Sequence, residues 1–144
     1  LSETEMEIIS GLARTYGVED IVEISPPIEH KAILLEECKA TFLLLVLRPD
    51  ETDKYTYTGK LFEYIGAGRP IIVLGLKDNA AAKLVTKMGI GAVCETAEEI
   101  ERLLKKELLA FYKEGKIPMV KEGQKEEFSW ENQVQKIISI FNSI

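Results

Sequence analysis

Three short runs of consecutive apolar residues, Phe42 to Leu47, Ile71 to Leu74 and Ala92 to Cys94, constrain this chain more than any other feature. A strand that is apolar on both faces needs cover on both, the condition of a strand inside a parallel sheet. Helical patterns separate the runs. The spacing predicts helices over Glu3 to Tyr16, stopped at Gly17, and over Glu29 to Cys38. It predicts a third from near Gly59 and a fourth that Asp78 or Asn79 caps, which reaches Lys87 and is broken by Gly89 and Gly91. A long helix from Ala97 to Tyr112 carries Ile100, Leu103, Leu104, Leu108 and Phe111 at helical spacing, and a tail helix sets Val134, Ile137, Ile138 and Phe141 on one face. With a further short strand at Ile21 to Ile24, closed by Pro26-Pro27, the order reads αβαβαβαβ. Such alternation specifies an α/β fold: a parallel, Rossmann-like sheet with helices on both faces.

The 144 residues, 46% of them apolar, suffice for one core. Lys and Arg number 18 against 24 Asp and Glu, for a net charge of -6, and the basic residues are scattered, so no nucleic-acid partner is expected. Cys38 and Cys94 stand singly in apolar segments without metal-ligand spacing, which predicts reduced, buried thiols and a cytoplasmic setting. No apolar run approaches the roughly 20 residues that cross a bilayer. The chain opens on Leu1-Ser2-Glu3 with a helix already under way, which predicts truncation upstream. The acidic loop Asp50 to Asp53 offers hard oxygen ligands, but four polar loop residues read first as solvated, so neither metal nor cofactor is expected. His30, at an acidic helix start, reads as exposed, and Glu98, Glu99, Glu101 and Glu107 counter the lysines at 105, 106, 113 and 116, so that helix reads as core-packing rather than membrane-binding.

In open parallel sheets ligands bind beyond the carboxyl ends of the strands, here the loops Ser25 to Ile28, Arg48 to Thr58 and Gly75 to Asn79. The stretch TYTGKLFEYIGAGRPIIVL, Thr56 to Leu74, therefore starts a helix in the crevice. Its free backbone N–H groups and positive dipole end suit a phosphate or diphosphate, and Gly59 permits close approach. Helical spacing puts Lys60, Glu63, Tyr64 and Ala67 on one face and Leu61, Phe62 and Ile65 on the other. Lys60 suits a phosphate, and Glu63 can accept two ribose hydroxyl hydrogen bonds. The same two residues also read as a solvated i, i+3 pair worth a few tenths of a kcal/mol. Gly66, Gly68 and Pro70 supply helix-stop chemistry. They are not a dinucleotide fingerprint, since that needs its glycines between a strand and the following helix.

Together with AAAKLVTKMGIGAV, TAEEIERLL and FSWENQVQKIISIF downstream, this stretch resembles the carboxyl-terminal, nucleotide-sugar-binding domain of family 4 glycosyltransferases, enzymes of the GT-B fold. The resemblance covers essentially the whole chain from Glu3 onward. It implies that Glu63 is the second acid of the family's Glu-x7-Glu motif and holds the donor ribose. The amides of Thr58, Gly59, Lys60 and Leu61 would lie near the diphosphate, and Pro27 and Ile28 near the base. The first acid falls at Tyr55, which is not acidic. The family's Arg and Lys diphosphate clamp and its amino-terminal domain would precede Leu1, and no catalytic residue is assigned here.

The resemblance implies a hexosyl-type glycosyltransferase that moves sugar from a nucleotide diphosphate to a glycan, lipid or small-molecule acceptor, with retention of configuration, as in polysaccharide biosynthesis. Membrane association would come only through the absent part, and the chain alone is expected to show no turnover. The other readings are a GT-B nucleotide-sugar epimerase and a non-catalytic α/β module that binds a nucleotide or a protein. Residues 1–128 would form the partial donor-binding domain, and 129–144 the helix that in relatives returns to the amino-terminal domain. In that topology two missing strands separate Ile21 to Ile24 from Phe42 to Leu47, so these segments are not expected to pair. The tail stripe, led in by Phe128 and Trp130, is expected to pack less firmly than Leu44 and Val73 of the sheet.

Overall fold

The structure, a computed structural model, describes residues 2–48, 54–115, 120 and 126–143. Among them are six helices and three strands, in the order α1 Glu3–Thr15, α2 His30–Lys39, β1 Leu43–Val46, α3 Gly59–Ala67, β2 Ile71–Leu74, α4 Ala80–Met88, β3 Gly91–Cys94, α5 Ala97–Glu114 and α6 Trp130–Phe141. The strands form a parallel sheet in the order β1-β2-β3, with Leu43 opposite Ile71 and Ile71 opposite Gly91. The fold is α/β. The chain divides into two compact units, Leu1–Ile33 and Leu34–Ile144, a division that falls within α2.

In the first unit, Ser2 and Glu5 form a capping box that starts α1, and Gly17 at φ 62° ends the turn that follows it. The strand predicted at Ile21 to Ile24 does not form. The amides of Ile21 and Val22 both donate to the Val18 carbonyl, each at 3.1 Å, which curls the chain into a turn where the strand should begin, and Ile21 is 83% exposed. Pro26 and Pro27 then remove two consecutive donors before α2. A parallel strand of four residues has no local turn to hold it against a neighbour and depends on distant pairing.

In the second unit, Leu61 and Ile65 of α3 and Ala81, Ala82 and Val85 of α4 pack with Leu45, Leu47, Ile71 and Val73 in one apolar core. Both helices are crossovers between neighbouring parallel strands, so right-handed connection puts them on one face. Side chains alternate along β2, so Ile72 points to the other face, where it lines a cavity with Ala92 and with Leu103 of α5. Helix α5 lies against β2 and β3, while the β1 side chains on that side, Leu44 and Val46, are exposed. The expectation that the strand at Phe42 to Leu47 is covered on both faces is therefore corrected: Leu44 is 50% exposed, and Val46 is exposed with it. Among the described residues strand β1 is an edge of the sheet, with Leu43, Leu45 and Leu47 buried on one face and Leu44 and Val46 exposed on the other.

Two further expectations change. Cys94 is buried, but Cys38 is exposed, because α2 turns Glu37 inward at the adjacent position and leaves Leu34 and Leu35 partly in solvent. On α3, Leu61 and Ile65 are buried but Phe62 is 41% exposed, its ring between those of Tyr57 and Phe128 at centroid distances of 6.0 and 5.9 Å. The tail stripe of α6, Val134, Ile137, Ile138 and Phe141, is exposed, whereas Phe128 before it packs against the core. The side chain of Trp130 lies outside the described residues.

Local capping is strong at α4. Asn79, buried to 4%, accepts a hydrogen bond from the Ala81 amide at 2.8 Å, and the Lys54 carbonyl accepts one from Ala80 at 2.8 Å. Asn79→Ala should cost about 1 to 2 kcal/mol, and Asn79→Asp, which keeps the acceptor, much less. Urea unfolding of the two variants checks this, and equal losses would mean that the cap hydrogen bond is not what Asn79 contributes.

Candidate functional site at the amino end of α3

A cavity of about 260 Å3 opens where β1 and β2 end, lined by Val46, Leu47, Arg48, Thr56, Thr58 and Asn79. This is the crevice side of the sheet. A larger cavity of about 300 Å3, lined in part by Phe42, Pro70, Gly89 and Ile90, opens where the strands begin, and we take the smaller one as the candidate because helix amino termini point there.

Helix α3 starts at this cavity. Thr58 is its N-cap in extended conformation, but its hydroxyl caps nothing, whereas α1, α4, α5 and α6 each receive a side-chain cap from Ser2, Asn79, Thr96 and Ser129. Among the described residues, Thr58 Oγ1 is buried with no hydrogen-bond partner, so it and the first amides of the helix are available to an acceptor. A Cβ placed on Gly59 meets no atom within 4 Å, so the space beside this first turn is open. The Leu61 amide already donates to the Thr58 carbonyl at 3.1 Å, and the Leu61 side chain is in the core.

Lys60 and Glu63 lie together, with the Lys60 ammonium 3.4 Å from Glu63 Oε2. The same ammonium donates to Oε1 of Glu37, on α2, at 3.3 Å, and stands 5.8 Å from the centre of the Tyr64 ring. Glu63 and Tyr64 are three and four residues further along α3, so the Lys60 side chain runs toward the helix middle and away from its first amides. Burial pushes the Lys60 pKa down, but its hydrogen bond to the Glu37 carboxylate and the charges of Glu37, Tyr64 and Glu63 more than offset it, leaving the ammonium above the ordinary lysine value. Burial also raises the Tyr64 phenol, against the lowering effect of Lys60.

The second unit thus brings together Thr58, Gly59, Lys60, Leu61 and Glu63 as consecutive or one-turn neighbours. Pro27 and Ile28 belong to the first unit, in the stretch before α2, and both are exposed. Glu37 had no sequence signal: a glutamate on a helix with exposed leucines reads as surface, and its partner is 23 residues away. His30 is exposed. The acidic loop Asp50 to Asp53 lies outside the described residues, and among the described ones no group of three or more His, Cys, Asp or Glu could hold a metal ion. No helix among them is long and apolar enough to cross a membrane.

Comparison with protein-family models, with curated proteins and with solved structures finds no match to this chain.

Proposed function

We propose that this chain is the donor-binding part of a glycosyltransferase, in which the amino end of α3 takes the diphosphate of a nucleotide sugar and Glu63 takes the ribose. The observation that carries the reading is the first turn of α3. Among the described residues it has no side-chain cap, adjoins a cavity at the carboxyl ends of β1 and β2, and holds a buried hydroxyl without a hydrogen-bond partner beside an open glycine. That arrangement offers oriented donors and a positive dipole end to an anion. In the transferase the same donors would stabilise the charge that develops on the departing nucleoside diphosphate. Sugar transfer would proceed with retention, to a glycan, lipid or small acceptor, and the free thiols suit a cytoplasmic setting.

The test separates ribose from phosphate. Glu63→Ala removes charge-assisted hydrogen bonds of about 1.5 to 3 kcal/mol, so nucleoside diphosphate should bind roughly 10- to 150-fold more weakly while inorganic pyrophosphate binds no more weakly. Lys60→Ala should weaken both ligands. Glu63→Ala should barely change the fold, since alanine is a good helix former and the ion pair of Lys60 with Glu63 is worth a few tenths of a kcal/mol, whereas Lys60→Ala also takes the cation from the buried Glu37 carboxylate and should cost stability. Isothermal titration of both variants checks this. Unchanged affinities would mean that α3 only covers the sheet.

A further inference from the structure

We infer that Glu37 is a positioning residue that latches Lys60 away from the amino end of α3, so that an anion bound there must draw the lysine off a buried carboxylate. The inference rests on the proposed diphosphate site. Glu37 is the one buried member of α2, 7% exposed, although the helix has leucines to bury in its place. A buried carboxylate needs compensation, and among the described residues the cation that pairs with Glu37 is Lys60, 3.3 Å from its Oε1. Among the described residues its other oxygen, Oε2, is buried without a hydrogen-bond partner. Glu37 is thus half satisfied and depends on a half-exposed lysine from another helix.

Lys60 is divided in turn between Glu37 and Glu63, at 3.3 and 3.4 Å. Its side chain lies along α3, with the ammonium near Tyr64 and short of the turn where Thr58 lines the cavity. To reach a phosphate there, Lys60 must give up both carboxylates and leave the Glu37 charge buried and unpaired. Glu37 therefore lowers anion affinity in the protein as it stands and sets the resting position of Lys60.

Glu37→Gln keeps the shape and removes the charge. It should tighten binding of inorganic pyrophosphate about fivefold, the size expected for releasing a half-exposed ion pair. In the Lys60→Met background the same change should have no effect, since the lysine through which Glu37 acts is gone. A second measurement needs no variant: the Lys60 side chain, titrated by nuclear magnetic resonance, should lose its proton at higher pH than the chain's exposed lysines. Unchanged or weaker pyrophosphate binding in Glu37→Gln overturns the latch, as does an ordinary Lys60 titration. Should the protein bind no pyrophosphate in any form, the proposed function falls, and the Lys60 titration still judges the contact with Glu37.

Discussion

Gly91→Ala should abolish or nearly abolish the folded state, at a cost of about 3 kcal/mol or more. Gly91 begins β3 and pairs with Ile71, and a Cβ there would stand 1.9 Å from the Ile71 carbonyl oxygen, 2.7 Å from its carbon and 2.9 Å from its nitrogen. Those are backbone atoms of the central strand, in a residue that is fully buried. Relief would require β2 and β3 to part, and with them the hydrogen bond from the Ile71 amide to the Ile90 carbonyl at 3.0 Å. Glycine inside a strand often marks such a close backbone approach. Circular dichroism and urea unfolding would show the loss, and a destabilisation below about 1 kcal/mol would mean that the ladder relaxes more easily than its geometry implies.

Leu61→Ala should be the costliest truncation on α3, at about 2 to 5 kcal/mol. Leu61 is fully buried among Leu45, Leu47, Ile65 and Val73, so its loss leaves a cavity between α3 and the sheet. Phe62→Ala, at the neighbouring position, should cost less despite the larger side chain. Phe62 is 41% exposed, and its contacts are with Tyr57 and Phe128 at the rim. If the order of the two losses were reversed in urea unfolding, the ring cluster and not the α3 core contact would be anchoring the helix. Because Leu61 follows Lys60 directly, this packing also fixes where the first turn of α3 meets the cavity.

The sheet strands and the helices were legible because their signals are local. Consecutive apolar residues mark β1 and β2, and Gly68 and Gly89, at φ 69° and 64°, end α3 and α4 where the sequence places glycine. What was not legible is what tertiary placement decides. The Ile21 to Ile24 segment has strand composition, yet a turn on the Val18 carbonyl wins in the absence of a pairing partner. Leu44 and Val46 look like core, but α5 lies against β2 and β3 and the two side chains are exposed. Lys60 and Glu63 were readable as neighbours on one helical face. Glu37 was not, since nothing in a sequence announces that a helix will bury its glutamate against a lysine of another helix.

The central claim is that the first turn of α3 binds a nucleoside diphosphate, and amide-resolved nuclear magnetic resonance of the isotope-labelled chain tests it most directly. Titration with uridine, guanosine and adenosine diphosphates should shift the amides of Thr58, Gly59 and Lys60 first, with Asn79 and Leu47 following as residues of the same cavity. Residues around the opposite cavity, Phe42, Gly89 and Ile90, should stay in place. Shifts that cluster at that opposite end, or no shift with any nucleotide at millimolar concentration, would contradict the account.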